Sequence, residues 1–177
     1  MRRFLDRVYR GSAAVAAFCV LTICVLMVGQ SVLREMGIST GGTTDVVAWL
    51  CAAAAFLAMP HAFRHGDFVY VTLILEKLSL RTRRRFDIGA LLIACVALSY
   101  LAWSATRFAW ESWEFNDLAT GQLSLPLWIP QSSFVIGAWL FLVAVIDETV
   151  HVLRGNRPSY VVAVEKRHAD GDFSADL

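Results

Sequence analysis

The residues with the chemistry for catalysis or metal binding lie mostly at the edges of the long apolar segments of this chain. There are four histidines: His61, His65, His151 and His168. They stand at the ends of apolar segments or in the C-terminal tail, so no two can face each other as axial ligands of a membrane-embedded haem. The cysteines lie inside apolar segments without CxxC or metal-ligand spacing, and are interpreted as small buried hydrophobic residues. They are Cys19, Cys24, Cys51 and Cys95.

The sequence also lacks the common catalytic motifs. It has no GxxxxGK, HExxH or GxSxG pattern, and the glycines of Gly41–Thr44 predict a flexible turn rather than a phosphate-binding loop. The first three apolar segments contain no Asp, Glu or Lys. A charged group at mid-membrane costs about 2.5–3.5 kcal/mol and usually marks a functional site. We therefore predict that the chain is not an enzyme and has no catalytic, substrate, cofactor or metal site.

The composition indicates a membrane protein. Of 177 residues, 57% are hydrophobic and 18% are charged, and the net charge of +1 gives no indication of nucleic-acid binding. A helix needs roughly 20 apolar residues to cross the bilayer. Four segments qualify, at about 11–33, 46–63, 88–108 and 132–152. The last follows Pro130, a residue that suits the first turn of a helix.

The basic residues predict the orientation of these spans. Fourteen of the sixteen Lys and Arg residues lie in the N-terminal segment, the second connection or the C-terminal tail. The positive-inside rule then places both termini in the cytoplasm and the third connection outside. The first span is longer than the roughly 7–15 apolar residues of a cleaved signal, so we interpret it as a retained helix.

The second connection combines a short apolar run with a basic end. A helix over about 68–80 would be about 20 Å long, too short to span. Polar residues fall on one stripe of it, which is typical of an amphipathic helix in the membrane plane. The basic end would contact lipid phosphates at roughly 1 kcal/mol per residue. Its residues are Arg81, Arg83, Arg84 and Arg85. The alternative is a solvated loop that merely obeys the charge rule.

Two other polar groups leave alternatives open. Asp147, His151 and Arg154 share a helical face, either as a self-paired helix end or as a contact with a partner subunit. An acidic set in the third connection could dock a soluble partner, or could simply be solvated. Its members are Glu111, Glu114 and Asp117.

Three stretches of sequence together resemble a known family. They are AFRHGDFVYVTLILEKLSLRTRRRFDIGALL from residue 62, WESWE from residue 110 and LPLWIP from residue 125. Over roughly residues 11–153 the chain resembles the small membrane subunit of tripartite ATP-independent periplasmic (TRAP) transporters, the DctQ-like family. The resemblance implies pairing with a large membrane subunit that carries the substrate and sodium sites. It also implies a periplasmic binding protein that delivers an organic acid, and a scaffold and docking role for this chain.

The resemblance assigns motif positions. Arg64 and Gly66 match the Arg-x-Gly turn after the second span, and the tryptophan and Pro-x-Trp positions are Trp113, Pro126 and Trp128. The sequence departs from the family pattern at Phe68 and Thr72, where His and Asp are frequent. It also has only Asp45 where many members have an acidic pair.

The sequence therefore predicts an all-α membrane protein with four transmembrane helices plus an in-plane amphipathic helix. Residues 1–158 are expected to form one membrane domain in the bacterial inner membrane, and 159–177 a mobile cytoplasmic tail. The favoured function is an accessory subunit of a sodium-coupled transporter, with phospholipid, the large subunit and the binding protein as partners. The alternative is a self-contained homodimeric carrier that uses Asp147 and Glu148. A membrane-bound enzyme subunit is disfavoured by the absent motifs.

Overall fold

In the computed structural model, the described residues are 2–38, 40–66 and 80–169. Within them the chain forms five α-helices: α1 (Arg2–Glu35), α2 (Thr43–His65), α3 (Leu80–Glu114), α4 (Trp128–Leu153) and α5 (Ser159–Ala169). The connection between α3 and α4 folds back on itself, with an isolated antiparallel bridge between Leu118 and Pro126.

Helices α1 to α4 are each long and apolar enough to cross a membrane. They contain the four predicted spans and extend past them, so the prediction of an all-helical protein with four such helices is confirmed. With 34 and 35 residues, α1 and α3 are about 50 Å long. Because the hydrocarbon core is about 30 Å thick, both helices project beyond it. The in-plane helix is not confirmed, because residues 67–79, including Phe68 and Thr72, lie outside the described residues.

The spanning helices form an open row instead of a closed bundle. The extensive contacts are between α1 and α2, α2 and α4, and α4 and α3, so the order across the row is α1–α2–α4–α3. At one end, α1 and α3 begin and α2 and α4 end. This end carries Arg64 and is called the basic end. At the opposite end residues 115–127 connect α3 to α4, and it is called the loop end. The two edge helices therefore present most of their apolar surface outward.

The central contact, between α2 and α4, depends on a glycine. A Cβ atom at Gly137 would lie 2.6–2.8 Å from the Cβ and backbone atoms of Phe56. The missing side chain lets the two helices approach closely, as small residues do in membrane proteins. Aromatic edge contacts flank this point, with ring centroids 4.1 Å apart for Phe56 and Phe134 and 5.7 Å apart for Phe63 and Phe141.

Small and aliphatic side chains fill the contacts at the two edges of the row. Cys19 of α1 packs on Ala53 and Ala54 of α2. At the opposite edge, Ala102 of α3 packs against α4, where Ala138 is also buried. None of these contacts uses a charged group. Two side-chain hydrogen bonds also join α3 to α4, from Trp139 to Thr106 over 3.0 Å and between Cys95 and Thr149 over 3.4 Å.

The chain after α4 differs from the sequence expectation. A mobile tail is expected from residue 159, whereas the structure has helix α5 over Ser159–Ala169, packed on the end of α2. Val161 is buried there, and the Tyr160 ring lies 5.9 Å from that of Phe63. Eleven residues are too few for a stable isolated helix, so these tertiary contacts account for it. Residues 170–177 lie outside the described residues.

Gly137→Ala should lower the free energy of unfolding by about 1–3 kcal/mol, because the added methyl group overpacks the α2–α4 contact. Thermal unfolding of the purified chain in mild detergent measures the change. Gly29→Ala in α1 is the control, since no atom outside its own helix lies within 4 Å of the added Cβ. The stability of Gly29→Ala should equal or slightly exceed that of the parent, because alanine is a better helix former than glycine. Equal losses in both variants would contradict the close α2–α4 approach.

Candidate functional site

Arg64, in the last turn of α2, joins three helices at the basic end. Its Nη1 atom lies 3.1 Å from Oδ1 of Asp6 on α1, and its Nη2 atom lies 3.6 Å from Oδ2 of Asp147 on α4. The guanidinium carbon is 5.6 Å from the centre of the Tyr9 ring. The Arg64 side chain is only 14% exposed. These four residues are called the Arg64 cluster.

The positions in the Arg64 cluster follow from helix electrostatics. Arg64 lies near the negative C-terminal end of α2 and Asp6 near the positive N-terminal end of α1, so both have the favourable sign. Asp147 lies nearly two turns before the end of α4, and Arg64 supplies its compensating charge. Tyr9 is 1% exposed, and its ring covers one side of the guanidinium. The cluster is thus a partly buried ionic contact shared by three helices.

The neighbouring carboxylate, Glu148, points to a different element. It is 2% exposed and accepts hydrogen bonds from the backbone N–H and the hydroxyl group of Ser159, the first residue of α5. A carboxylate at a helix N-terminus satisfies donors that have no partner within the helix. Asp147 and Glu148 are therefore both engaged by other parts of the same chain.

The structure separates the Asp147, His151 and Arg154 set. Asp147 pairs across to Arg64 on α2. His151 instead lies with its Nδ1 atom 3.1 Å from the side-chain nitrogen of Asn156 in the following turn, and the side chain of Arg154 is exposed. The self-paired helix end, one of the two interpretations left open, is therefore not what forms here.

The predicted lipid-contacting arginines lie on the first turns of α3. Arg84 donates a hydrogen bond from Nη2 to the carbonyl oxygen of Val152 at the end of α4, over 3.3 Å. Arg85 is exposed. The backbone of Arg81 and Arg83 is helical, but their side chains lie outside the described residues. Arg84 thus has a protein acceptor as well as a position near the predicted membrane surface.

At the loop end, the acidic connection is attached to the start of α2. The backbone N–H of Gln122 donates to Asp45 over 2.9 Å, and the backbone N–H of Gly42 donates to Oε1 of Gln122 over 2.7 Å. There is no room for a side chain at Gly121, where a Cβ would overlap the Asp45 carboxylate. The Gly41–Thr44 turn and the loop are therefore held together by specific hydrogen bonds.

The three acidic residues of the predicted docking surface have different surroundings. Glu111 pairs with Arg107 one turn earlier, over 3.2 Å. Glu114 and Asp117 are exposed. The backbone of Asp117 belongs to the folded loop, accepting from the N–H of Leu127 over 2.9 Å. All three side chains are thus exposed, and Glu111 is in addition held by its pair with Arg107.

The family-motif tryptophans lie beside this loop. The Trp113 and Trp110 ring centroids are 5.2 Å apart. Together with Trp128, the first residue of α4, they line an open apolar groove of about 330 Å³ between α3 and α4. Pro126 forms the bridge to Leu118 just before α4. Gly66, the other motif residue, ends α2 in the left-handed conformation (φ 74°), and its N–H bonds to the carbonyl of Phe63.

Across the described ranges, no group of three or more His, Cys, Asp or Glu side chains is placed to bind a metal ion. The polar contacts described above join helices and loops to one another. With four spanning helices in an open row, they define a multi-pass membrane protein.

Comparison with known families agrees with this class. The family model for the DctQ component of tripartite ATP-independent periplasmic transporters matches residues 23–155, three quarters of the chain. The chain belongs to this family, the small membrane subunits of TRAP transporters. A search of curated proteins found no match. The recognition made from the sequence is confirmed, and at the level of the family the chain is a transporter component and not an enzyme.

Arg64→Gln should lower the free energy of unfolding by about 1–3 kcal/mol, because it leaves partly buried carboxylates without their cation. The free energy of unfolding of Arg64→Lys should lie between those of Arg64→Gln and the parent. A single ammonium group cannot match a forked guanidinium that reaches two carboxylates. Arg107→Gln is the matched control, because its pair with Glu111 is exposed and is worth less than about 1 kcal/mol. Unfolding in mild detergent measures these losses. A loss of stability in Arg107→Gln equal to or greater than that in Arg64→Gln would contradict the role of the cluster.

Proposed function

We propose that this chain is the accessory, scaffold-forming subunit of a sodium-coupled TRAP transporter. It pairs with a large membrane subunit and helps to dock a periplasmic binding protein that delivers an organic acid. The observation that carries the proposal, beside family membership, is the engagement of both carboxylates of α4. Asp147 pairs with Arg64 and Glu148 caps α5. A carrier acting alone would need a titratable group in a span, so substrate and sodium sites belong in the partner.

The outward surface of α3 is the proposed contact with the large subunit. Ile93, Val96, Tyr100 and Trp103 form one exposed stripe along it. Tyr100 lies near the middle of α3 and is 75% exposed. Transfer of a hydroxyl group into hydrocarbon without a hydrogen bond costs several kcal/mol. A protein neighbour that accepts this bond is therefore favoured over lipid.

The opposite edge of the row supports the same assignment by contrast. At matching depth on α1, the exposed side chains are Val15, Phe18, Leu21 and Val25. The nearby hydroxyl group of Thr22 donates to the carbonyl of Phe18 in its own helix, over 2.8 Å. The exposed side chains of this surface need no external hydrogen-bond partner, so contact with lipid satisfies them.

Photo-cross-linking tests the pairing and the surface together. Benzoylphenylalanine placed at Tyr100 should cross-link to a large membrane protein in native membranes, whereas the same residue at Phe18 should give no such product. Purification in mild detergent, with partners identified by mass, is the accompanying measurement. Recovery of the chain only as a homodimer would overturn the proposal in favour of the self-contained carrier. Cross-linking to the large protein from Phe18 but not from Tyr100 would retain the pairing and overturn the surface.

The loop end is the proposed docking surface for the binding protein. Glu114→Lys combined with Asp117→Lys should raise the concentration of binding protein that gives half-maximal uptake by roughly tenfold, equivalent to about 1.4 kcal/mol. This pair avoids Glu111, whose reversal would place a cation against Arg107. Glu35→Lys, at an exposed position at the end of α1, is the control for reversing one acidic side chain elsewhere at this end of the protein. An unchanged half-maximal concentration in the double variant would count against docking here.

The basic end is proposed to face the cytoplasm, with both termini on that side. Arg81, Arg83 and Arg85 would then lie among the headgroups of anionic phospholipid, each contributing roughly 1 kcal/mol. Arg84 would do so only in part, because its guanidinium also serves the Val152 carbonyl. The predominance of basic residues at this end of the row supports the orientation.

A further inference from the structure

We propose that α5 is a clamp on the end of α2, which holds the turn from Arg64 to Gly66 and so keeps Arg64 in its cluster. The inference concerns the C-terminal helix, for which the family resemblance assigns no role. It stands whether or not the chain pairs with a larger subunit. Three separate sets of contacts carry it, one at each end of α5 and one along its length.

The first attachment is at the start of α5. The buried Glu148 carboxylate accepts from the N–H and, over 2.6 Å, from the hydroxyl group of Ser159. The chain reaches this point through a tight turn in which Gly155 has φ 91°. The negative charge lies at the positive end of the α5 dipole, so the attachment has the favourable sign.

The second attachment is near the other end of α5. The Nη2 atom of Arg167 donates to the carbonyl oxygens of His65 and Gly66, over 3.0 and 3.2 Å. The last carbonyls of a helix have no partner within it, and a basic side chain can satisfy them. A positive charge at the C-terminal end of α2 again has the favourable sign. Charged side chains thus hold α5 at both ends, each on a helix terminus of opposite polarity.

Between the two attachments, α5 lies directly on the last turn of α2. A Cβ atom at Gly66 would lie 2.7 Å from the carbonyl oxygen of Tyr160 and equally close to Val164. The backbones therefore meet at a position where only glycine fits, both for space and for its φ of 74°. Since Arg64 lies two residues before this contact, any movement of α5 away from Gly66 frees the turn that positions its guanidinium.

Hydrogen exchange of the purified full-length chain tests the clamp. In the double variant Ser159→Ala with Arg167→Gln, amide exchange should become at least roughly tenfold faster over residues 159–169 and also over 61–66. Arg154→Gln is the matched control, because it removes an exposed arginine from the same end of the chain. Exchange in both segments should be unchanged in that control.

Each other outcome overturns the proposal. Faster exchange confined to 159–169 would mean that α5 packs on α2 without restraining it. Unchanged exchange in both segments would mean that the two attachments do not hold α5. If the double variant does not fold, Ser159→Ala alone carries the same test, since it keeps Arg167 and removes only a hydroxyl group.

Discussion

The position of Arg64 between two carboxylates is the constraint on which the arrangement at the basic end depends. A guanidinium group that is largely buried must be paired, because an uncompensated charge removed from water is costly. Asp6 and Asp147 supply that pairing from α1 and α4, so the ends of three helices are fixed relative to one another. Two further arginines at the same end act through backbone carbonyls, Arg84 on Val152 and Arg167 on His65 and Gly66. The arginines counted by the positive-inside rule for orientation therefore also make contacts that join the ends of the helices.

The loop end is held by a different kind of contact. Gln122 exchanges hydrogen bonds with Gly42 and Asp45, and glycines allow the backbones to approach closely. Between the two ends, α2 and α4 meet at Gly137, and the edge helices add mainly apolar contacts, with uncharged hydrogen bonds between α3 and α4. The row is thus joined by ionic and backbone hydrogen-bond contacts at its ends, and by close packing with a few uncharged side-chain hydrogen bonds in its middle. This distribution suits a protein in lipid, where unpaired polar groups at mid-depth are expensive. The same cost makes the exposed Tyr100 side chain, with its hydroxyl group, unusual on the apolar surface of α3.

The sequence predicts the spans well because their signal is composition, and composition does not depend on which helices are neighbours. It does not predict the order of the row, since nothing in the apolar segments specifies that α2 and α4 are central. The sequence also does not predict the two carboxylate partners of Arg64. Asp6 lies in a basic segment where it has no local signal, and the i, i+4 spacing of Asp147 and His151 favours a local pair over the long-range one that forms. Helix α5 was missed for a related reason. Its charged, short sequence resembles a tail, and the contacts that stabilise it come from outside the segment, from Glu148 in the preceding helix and from the distant Gly66.

The two adjacent carboxylates of α4 bear most directly on function. Consecutive residues of a helix point about 100° apart, so Asp147 and Glu148 face different elements, one the end of α2 and the other the start of α5. A carboxylate that couples transport to proton or ion movement must be able to exchange partners as the protein moves. Here each carboxylate joins helices at the basic end, and releasing either one would loosen the contacts that hold α2. A subunit built in this way favours one static arrangement over two alternating ones. Such rigidity agrees with the proposed scaffold role, in which the moving parts of the transporter belong to its partner.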